Sequence, residues 1–407
     1  MKPIGPIPPG FAAGGDGSLM IAGRSVEALV AAAEDTPLFV YDLATIHAQV
    51  IAFRAAFPNV ALHYALKANP CRPLVAAMVG LTDGIDVASE GELALAQEAG
   101  AREISFAGPG KRNRELTAAI RAGVTINLES EGEAARALRI ADGIGIRPKL
   151  AVRVNPDFTL KGSGMKMGGG AKPFGVDAER VPELARSLIE AGADWRGFHI
   201  FAGSQGLDAD ALIETQGATL DLAAKLAEEV GASPPLVNLG GGFGIPHFAG
   251  DRRLDVSVIG AALAERLAQP PEPLGQTRFA IELGRWLVGQ AGVYLTRVID
   301  RKVSHGETFL VVDGGLHHQL AASGNFGTVV RRNYPLANAS RFSAEPTEQV
   351  SVVGCLCTPL DRLGDQVMLP RTEVGDLIAV FIAGAYGRSA SPEAFLGHPA
   401  PVELLVG

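Results

Sequence analysis

"GIDVASEGELALAQEAGAREISFAG", residues 84–108, opens and closes on a short apolar run and carries a helical pattern between them. Ser89 and Glu92 have the spacing of a capping box, and Gly100 stands where a helix ends in a left-handed residue. The stretch reads as a β-α-β unit, whose strands are parallel because a helix connects them. The alternation runs from about residue 36 to 275. The strand candidates are "LFVYDL", "VALHYAL", "GIDVAS", "EISFAG", "TINLES", "LAVRVN", "GFHIFAG", "LVNLGGG" and "FAIEL". Among the helices is "DLAAKLAEEVG", with Leu222, Leu226 and Val230 on one face and Gly231 at its end. So many units suit a (β/α)8 barrel better than a doubly wound sheet, for which about five or six strands suffice.

After residue 280 the texture changes to short strands broken by Gly, Pro and Asp: "TFLVVDGG", "EQVSVVGCLC", "DQVMLP", "DLIAVFIAGAYG" and "PVELLV". The expected fold is therefore α/β plus all-β. A TIM-like barrel spans 36–278 and a C-terminal β-barrel domain spans 279–407. The N-terminal segment 1–35 packs with the β domain and is a candidate to add a strand to it.

Composition narrows the function. The 407 residues are 47% hydrophobic and 20% charged, which suits a packed globular chain. The net charge of -8, without any Lys/Arg run, argues against nucleic acid. The start "MKPIGPIPPGFAAGGDGS" lacks a signal peptide's apolar core, and no apolar run has membrane-spanning length, so a cytoplasmic protein is expected. Cys71, Cys355 and Cys357 are too few for a disulfide framework. A Cys-x-Cys pair without a second cluster gives no metal site, so none is expected.

In such a barrel the C-terminal ends of the strands line the active-site mouth. Lys67, Asp86, Arg153, His199, Gly240 and Glu282 each follow an apolar run. Lys67, in "HYALKAN", reads either as a snorkelling lysine or as a desolvated amine of the kind that forms a Schiff base with a carbonyl compound such as pyridoxal phosphate. That cofactor needs a phosphate cradle and a carboxylate for its pyridine nitrogen. "NLGGGFG" (238–244) offers unobstructed backbone amides, unless it is a plain tight turn, and Ser204 could add a hydroxyl. Glu282, beside Arg285, is either half of a structural ion pair or that carboxylate. Cys357 and Asp361, around a proline, and Tyr386, between glycines, would each read as structural if isolated.

Taken in order, "FVYDL", "HYALKANP", "GIDVASEGEL", "RVNP", "KPFGVD", "GFHIFAGSQ", "NLGGGFG", "ELGR", "VVDGG", "GCLCTPLD" and "GAYG" resemble the fold type III pyridoxal-phosphate decarboxylases, the family of diaminopimelate and ornithine decarboxylases. The resemblance covers nearly the whole chain. It implies that Lys67 is the Schiff-base lysine and that Gly240, Gly241, Gly242 and Ser204 hold the phosphate, with Arg285 and Tyr386 close by. It further implies that Glu282 meets the pyridine nitrogen and that Asp86 and Arg153 organise the lysine and ring. Cys357 is then the group that reprotonates Cα, supplied by the neighbouring subunit of a homodimer with shared active sites.

Three departures bear on the substrate. Phe201 stands where the family stacks an imidazole, "ELGR" replaces the nominal "EPGR", and Thr358 replaces the acidic residue that reads a distal ammonium. Stretches such as "GSGMKMGGGAKPFGVD" and "VVDGGLHHQ" look closest to the sub-branch of L-glutamyl-[acyl-carrier-protein] decarboxylase and of decarboxylases associated with exopolysaccharide export. The substrate is then an aminoacyl group on an acyl carrier protein or a free amino acid, with Arg332, Thr358, Asp361 and His199 as substrate-side candidates. Diaminopimelate decarboxylase, a racemase and a non-catalytic cofactor-binding protein are the competing readings.

Overall fold

The computed structural model describes residues 2–325 and 331–407, in two compact units. One comprises Gln49–Gly244 and Leu254–Gly284. Its strands are β1 (Ala61–Ala65), β2 (Gly84–Val87), β3 (Ile104–Phe106), β4 (Thr125–Leu128), β5 (Lys149–Asn155), β6 (Asp194–Ile200), β7 (Leu236–Asn238) and β8 (Arg278–Leu283). All neighbours are parallel, and β8 pairs back onto β1, which closes an eight-stranded barrel. Because helices cover the outside and side chains fill the inside, the strands are buried on both faces and read as continuous apolar runs.

Helix ends follow the local chemistry. Ser89 accepts from Glu92 N at 3.1 Å, while the Glu92 carboxylate reaches the amide of Ala88 rather than that of Ser89. Ser130 caps Glu131–Ile144 in the same way. The helix read from residue 221 begins earlier, as Ala209–Val230. Asp208 caps it, a polar start that a search for apolar periodicity passes over.

The other unit comprises Met1–Ala48, Ile245–Arg253 and Arg285–Gly407. It is built on the long strand Gly292–Ser304, whose first half pairs with Leu38–Asp42 and Leu377–Phe381 and whose second half pairs with Glu307–Val312. Glu348–Val353, Arg362–Leu369, Leu336–Asn338 and Val402–Val406 complete an eight-stranded sheet.

Two boundaries differ from expectation. "LFVYDL" is no barrel strand: Leu38–Asp42 lies antiparallel to Gly292–Ser304 and parallel to Val402–Val406. All five of its residues are buried, so its pattern is that of any two-sided core strand and does not say which sheet it joins. Among the described residues, no strand of segment 1–35 joins the eight-stranded sheet, because the short strands there form a three-stranded sheet of their own. The barrel ends later than residue 278, because β8 runs to Leu283.

Candidate active site

Strand register assembles a polar layer at the C-terminal end of the barrel. His199 on β6 lies beside Arg153 on β5 and Asn238 on β7, and Glu282 on β8 lies beside His63 on β1. Lys67 sits one turn past β1, in Leu66–Ala68, between two buried residues. Its side chain is 49% exposed, which leaves the amine reachable. Its Nζ lies 3.7 Å from Glu282 Oε1 and 5.8 Å from the centre of the Phe201 ring. An accessible amine thus faces a carboxylate and an aromatic face.

Glu282 is buried, and its Oε2 lies 2.8 Å from His199 Nε2. Burial alone would raise its pKa. The His199 imidazole, followed by Lys67 and Arg153, outweighs that and holds the carboxyl well below the usual carboxylate range. His199, a substrate-side candidate, is a buried partner of Glu282, at 2% exposure.

Two charged groups here escaped the sequence reading. Glu129, after β4, accepts from Arg153 Nη1 at 2.9 Å and from the amide of Gly175 at 3.1 Å, which fixes the guanidinium. His63 Nδ1 lies 3.3 Å from Asp86 Oδ1. Burial lowers the His63 pKa, but the Asp86 carboxylate overcomes this and the net shift is upward. Gly84 makes room for the ring, since a Cβ there would lie 2.8 Å from His63 Nε2. The second oxygen of Asp86 is buried with no partner among the described residues.

The glycine turn after β7 needs its glycines. Gly240 and Gly242 have φ of 70° and 80°, and Asn238 Oδ1 accepts the amide of Gly240. The amides of Gly241 and Gly242 have no acceptor among the described residues. A Cβ on Gly241 would stand 1.9 Å from the Glu282 carbonyl oxygen, which is backbone and cannot yield. Gly241→Ala is expected to cost about 1–3 kcal/mol, read by chemical denaturation. Ser204, in the short strand Gly203–Ser204, is half-buried.

The remaining candidates lie in the sheet unit. Arg285 stacks over Tyr386 at 4.6 Å, and its Nη1 lies 3.4 Å from His247 Nε2. Cys357 is an exposed free thiol. Asp361, a substrate-side candidate, is buried and accepts the amides of Leu316 at 2.7 Å and Leu356 at 2.9 Å, which ties down the loop around Cys357. Thr358 Oγ1 accepts Leu360 N at 3.3 Å within that loop. Arg332 is exposed and stacks on Phe248 at 3.8 Å, with no ion pair among the described residues.

The family described as pyridoxal-dependent decarboxylase, pyridoxal binding domain, matches residues 43–289. The L-glutamyl-[BtrI acyl-carrier protein] decarboxylase of Niallia circulans is 38% identical over 382 residues, 91% of this chain and 89% of the relative. The diaminopimelate decarboxylase of Archaeoglobus fulgidus is 33% identical over 396 residues, 96% of this chain and 92% of the relative. The crystal structure of diaminopimelate decarboxylase from M. jannaschii with L-lysine superposes with a TM-score of 0.86 at 26% identity, covering 98% of this chain and 93% of that one.

The residues present fit pyridoxal phosphate: a reachable amine, a buried carboxylate kept ionised, and a turn with two unengaged amides suited to a phosphate. The family match covers more than half of the sequence and the relatives align over almost all of it, so this chain belongs to the pyridoxal-phosphate-dependent decarboxylases.

Proposed function

We propose that this decarboxylase acts on an aminoacyl group presented by an acyl carrier protein, and that Lys67, Glu282 and Cys357 carry its chemistry. When bound, pyridoxal phosphate supplies a ring that accepts the electron pair left behind as a carboxylate departs from an amino-bearing carbon. Lys67 would hold it covalently, the amides of Gly241 and Gly242 with Ser204 would take its phosphate, and Arg285 and Tyr386 would border that end.

Glu282, held ionised by His199, would keep a proton at the ring nitrogen. Arg153, fixed by Glu129, and Asp86, paired with His63, would organise the lysine and ring. Phe201 would meet the ring by dispersion and bring no titratable group. As the carbon–carbon bond breaks and CO2 leaves, the Cys357 thiol would return a proton to the same carbon. An exposed thiol on a well-tied loop suits a group delivered to the site of a second copy, so we place the enzyme as a homodimer with shared sites.

The single observation behind the substrate assignment is Thr358. A hydroxyl engaged within its own loop supplies no charge to read a distal ammonium, which weakens the case for diaminopimelate. The exposed Arg332 guanidinium suits a distal carboxylate instead. The name of the Niallia circulans relative, a decarboxylase of a carrier-bound glutamyl group, points the same way.

The test follows CO2 release from free glutamate, ornithine and diaminopimelate and from glutamyl thioesters on a carrier protein. Turnover is expected on the thioesters, and Arg332→Ala should raise their KM with kcat little changed. Turnover of free diaminopimelate in preference to the thioesters would establish the lysine-forming alternative.

A further inference from the structure

We propose that His317, Cys355 and His398 form a binding site for a zinc-class divalent cation in the sheet unit. One ligand atom from each residue lies within 4.8 Å of the others. His398 presents Nε2 at 3.8 Å and Nδ1 at 4.0 Å from Cys355 Sγ. In a tetrahedral site with metal–sulfur and metal–nitrogen bonds of about 2.3 and 2.0 Å, neighbouring ligand atoms stand about 3.5 Å apart. Small side-chain rotations therefore close the set.

His317 supplies an independent observation. It has 0% exposure, and neither of its ring nitrogens has a partner among the described residues. Its neighbour His318 is fully engaged, with Tyr294 OH at 3.1 Å and the Pro399 carbonyl at 3.2 Å. A buried imidazole with two idle nitrogens, facing a thiol and a second imidazole, is explained by a missing ligand. Two nitrogens and one sulfur form a borderline-soft donor set that selects zinc over magnesium or calcium and leaves a fourth position open.

The sequence could not reveal the site, because 38 residues part His317 from Cys355 and 43 part Cys355 from His398. Topology brings them together. Glu307–Val312 and Glu348–Val353 are parallel neighbours, with Val311 opposite Val353, so His317 and Cys355 leave the sheet at the same end. His398 precedes the last strand, Val402–Val406. A bound ion would clamp the loop that carries Cys357, two residues on, to the C-terminal segment. The clamp's relevance to catalysis rests on the role proposed for Cys357, whereas the binding site itself does not.

The test titrates chelator-treated, cofactor-loaded protein with Co2+ in the absence of substrate, so the result is independent of decarboxylation. One ion per chain is expected, with a thiolate-to-cobalt charge-transfer band that zinc displaces. Cys355→Ser should abolish the band, His398→Ala should weaken binding at least tenfold, and Cys357→Ser should leave the band in place. The first two variants alter half-buried side chains, so the test does not depend on removing the fully buried His317. Absence of the band, or its survival in Cys355→Ser, overturns the site. Zinc saturation should also slow alkylation of Cys357, located by peptide mass. Equal rates with and without the ion overturn the clamp.

Discussion

Glu282→Gln is expected to lower kcat by about 10²–10³-fold, the usual effect of removing one preorganised electrostatic partner, while the chain stays folded and keeps its cofactor. The amide fills the same space and can still accept from His199, but it carries no charge to hold a proton at the ring nitrogen. His199 acts through Glu282 and is a positioning residue. His199→Asn should therefore reproduce part of the loss in kcat with KM little moved. It should also shift the acid limb of the kcat profile upward, because the carboxyl loses the neighbour that most depresses its pKa.

The same pair makes a stability prediction. Glu282 has a folded-state pKa below its unfolded value, so its contribution to stability is present above the usual carboxylate value of 4.5 and is lost as pH falls toward the folded value. Below about pH 4.5 the melting temperature of the wild type should fall more steeply than that of Glu282→Gln. Parallel melting curves across that range would show that the pair does not depress the carboxyl.

What the sequence made legible follows from the range of the interactions involved. Capping boxes and apolar runs are local, so the β-α units around Ser89 and Gly231 could be read directly and the barrel followed from the number of such units. Side chains at strand ends could be nominated because a parallel barrel gives those ends one fate, which brought Lys67, Asp86, Arg153, His199 and Glu282 to one rim before any contact was known.

Pairing was hidden. Glu129 lies 24 residues from Arg153, His63 lies 23 from Asp86 and His199 lies 83 from Glu282. Only strand register joins them, and no periodicity encodes register between distant strands. Asp361 shows the same limit. Taken alone it reads as structural, and only the resemblance made it a substrate-side candidate; its two backbone donors, Leu316 and Leu356, lie 45 and 5 residues away. A Cβ on Gly315 or Gly354 would also press to within 2.3 or 2.2 Å of its carboxylate, so both glycines serve its placement.

A mixture of Lys67→Ala and Cys357→Ala chains, co-expressed or refolded together, is expected to regain activity that neither variant has alone. Without Lys67 the cofactor has no amine to hold it. Without Cys357 proton return should slow by about 10²–10⁴-fold, so both backgrounds are low. If Cys357 serves the site of the other subunit, a mixed dimer holds one site with an intact lysine from one chain and an intact thiol from its partner. Random pairing makes half of the dimers mixed, each with one working site of two, so recovery should approach about a quarter of the wild-type rate. If the thiol instead serves its own chain, every site in the mixed dimer lacks one group and mixing restores nothing. Recovered CO2 release thus reads out the sharing of sites itself, which a measurement of mass or of dimer content alone would leave open.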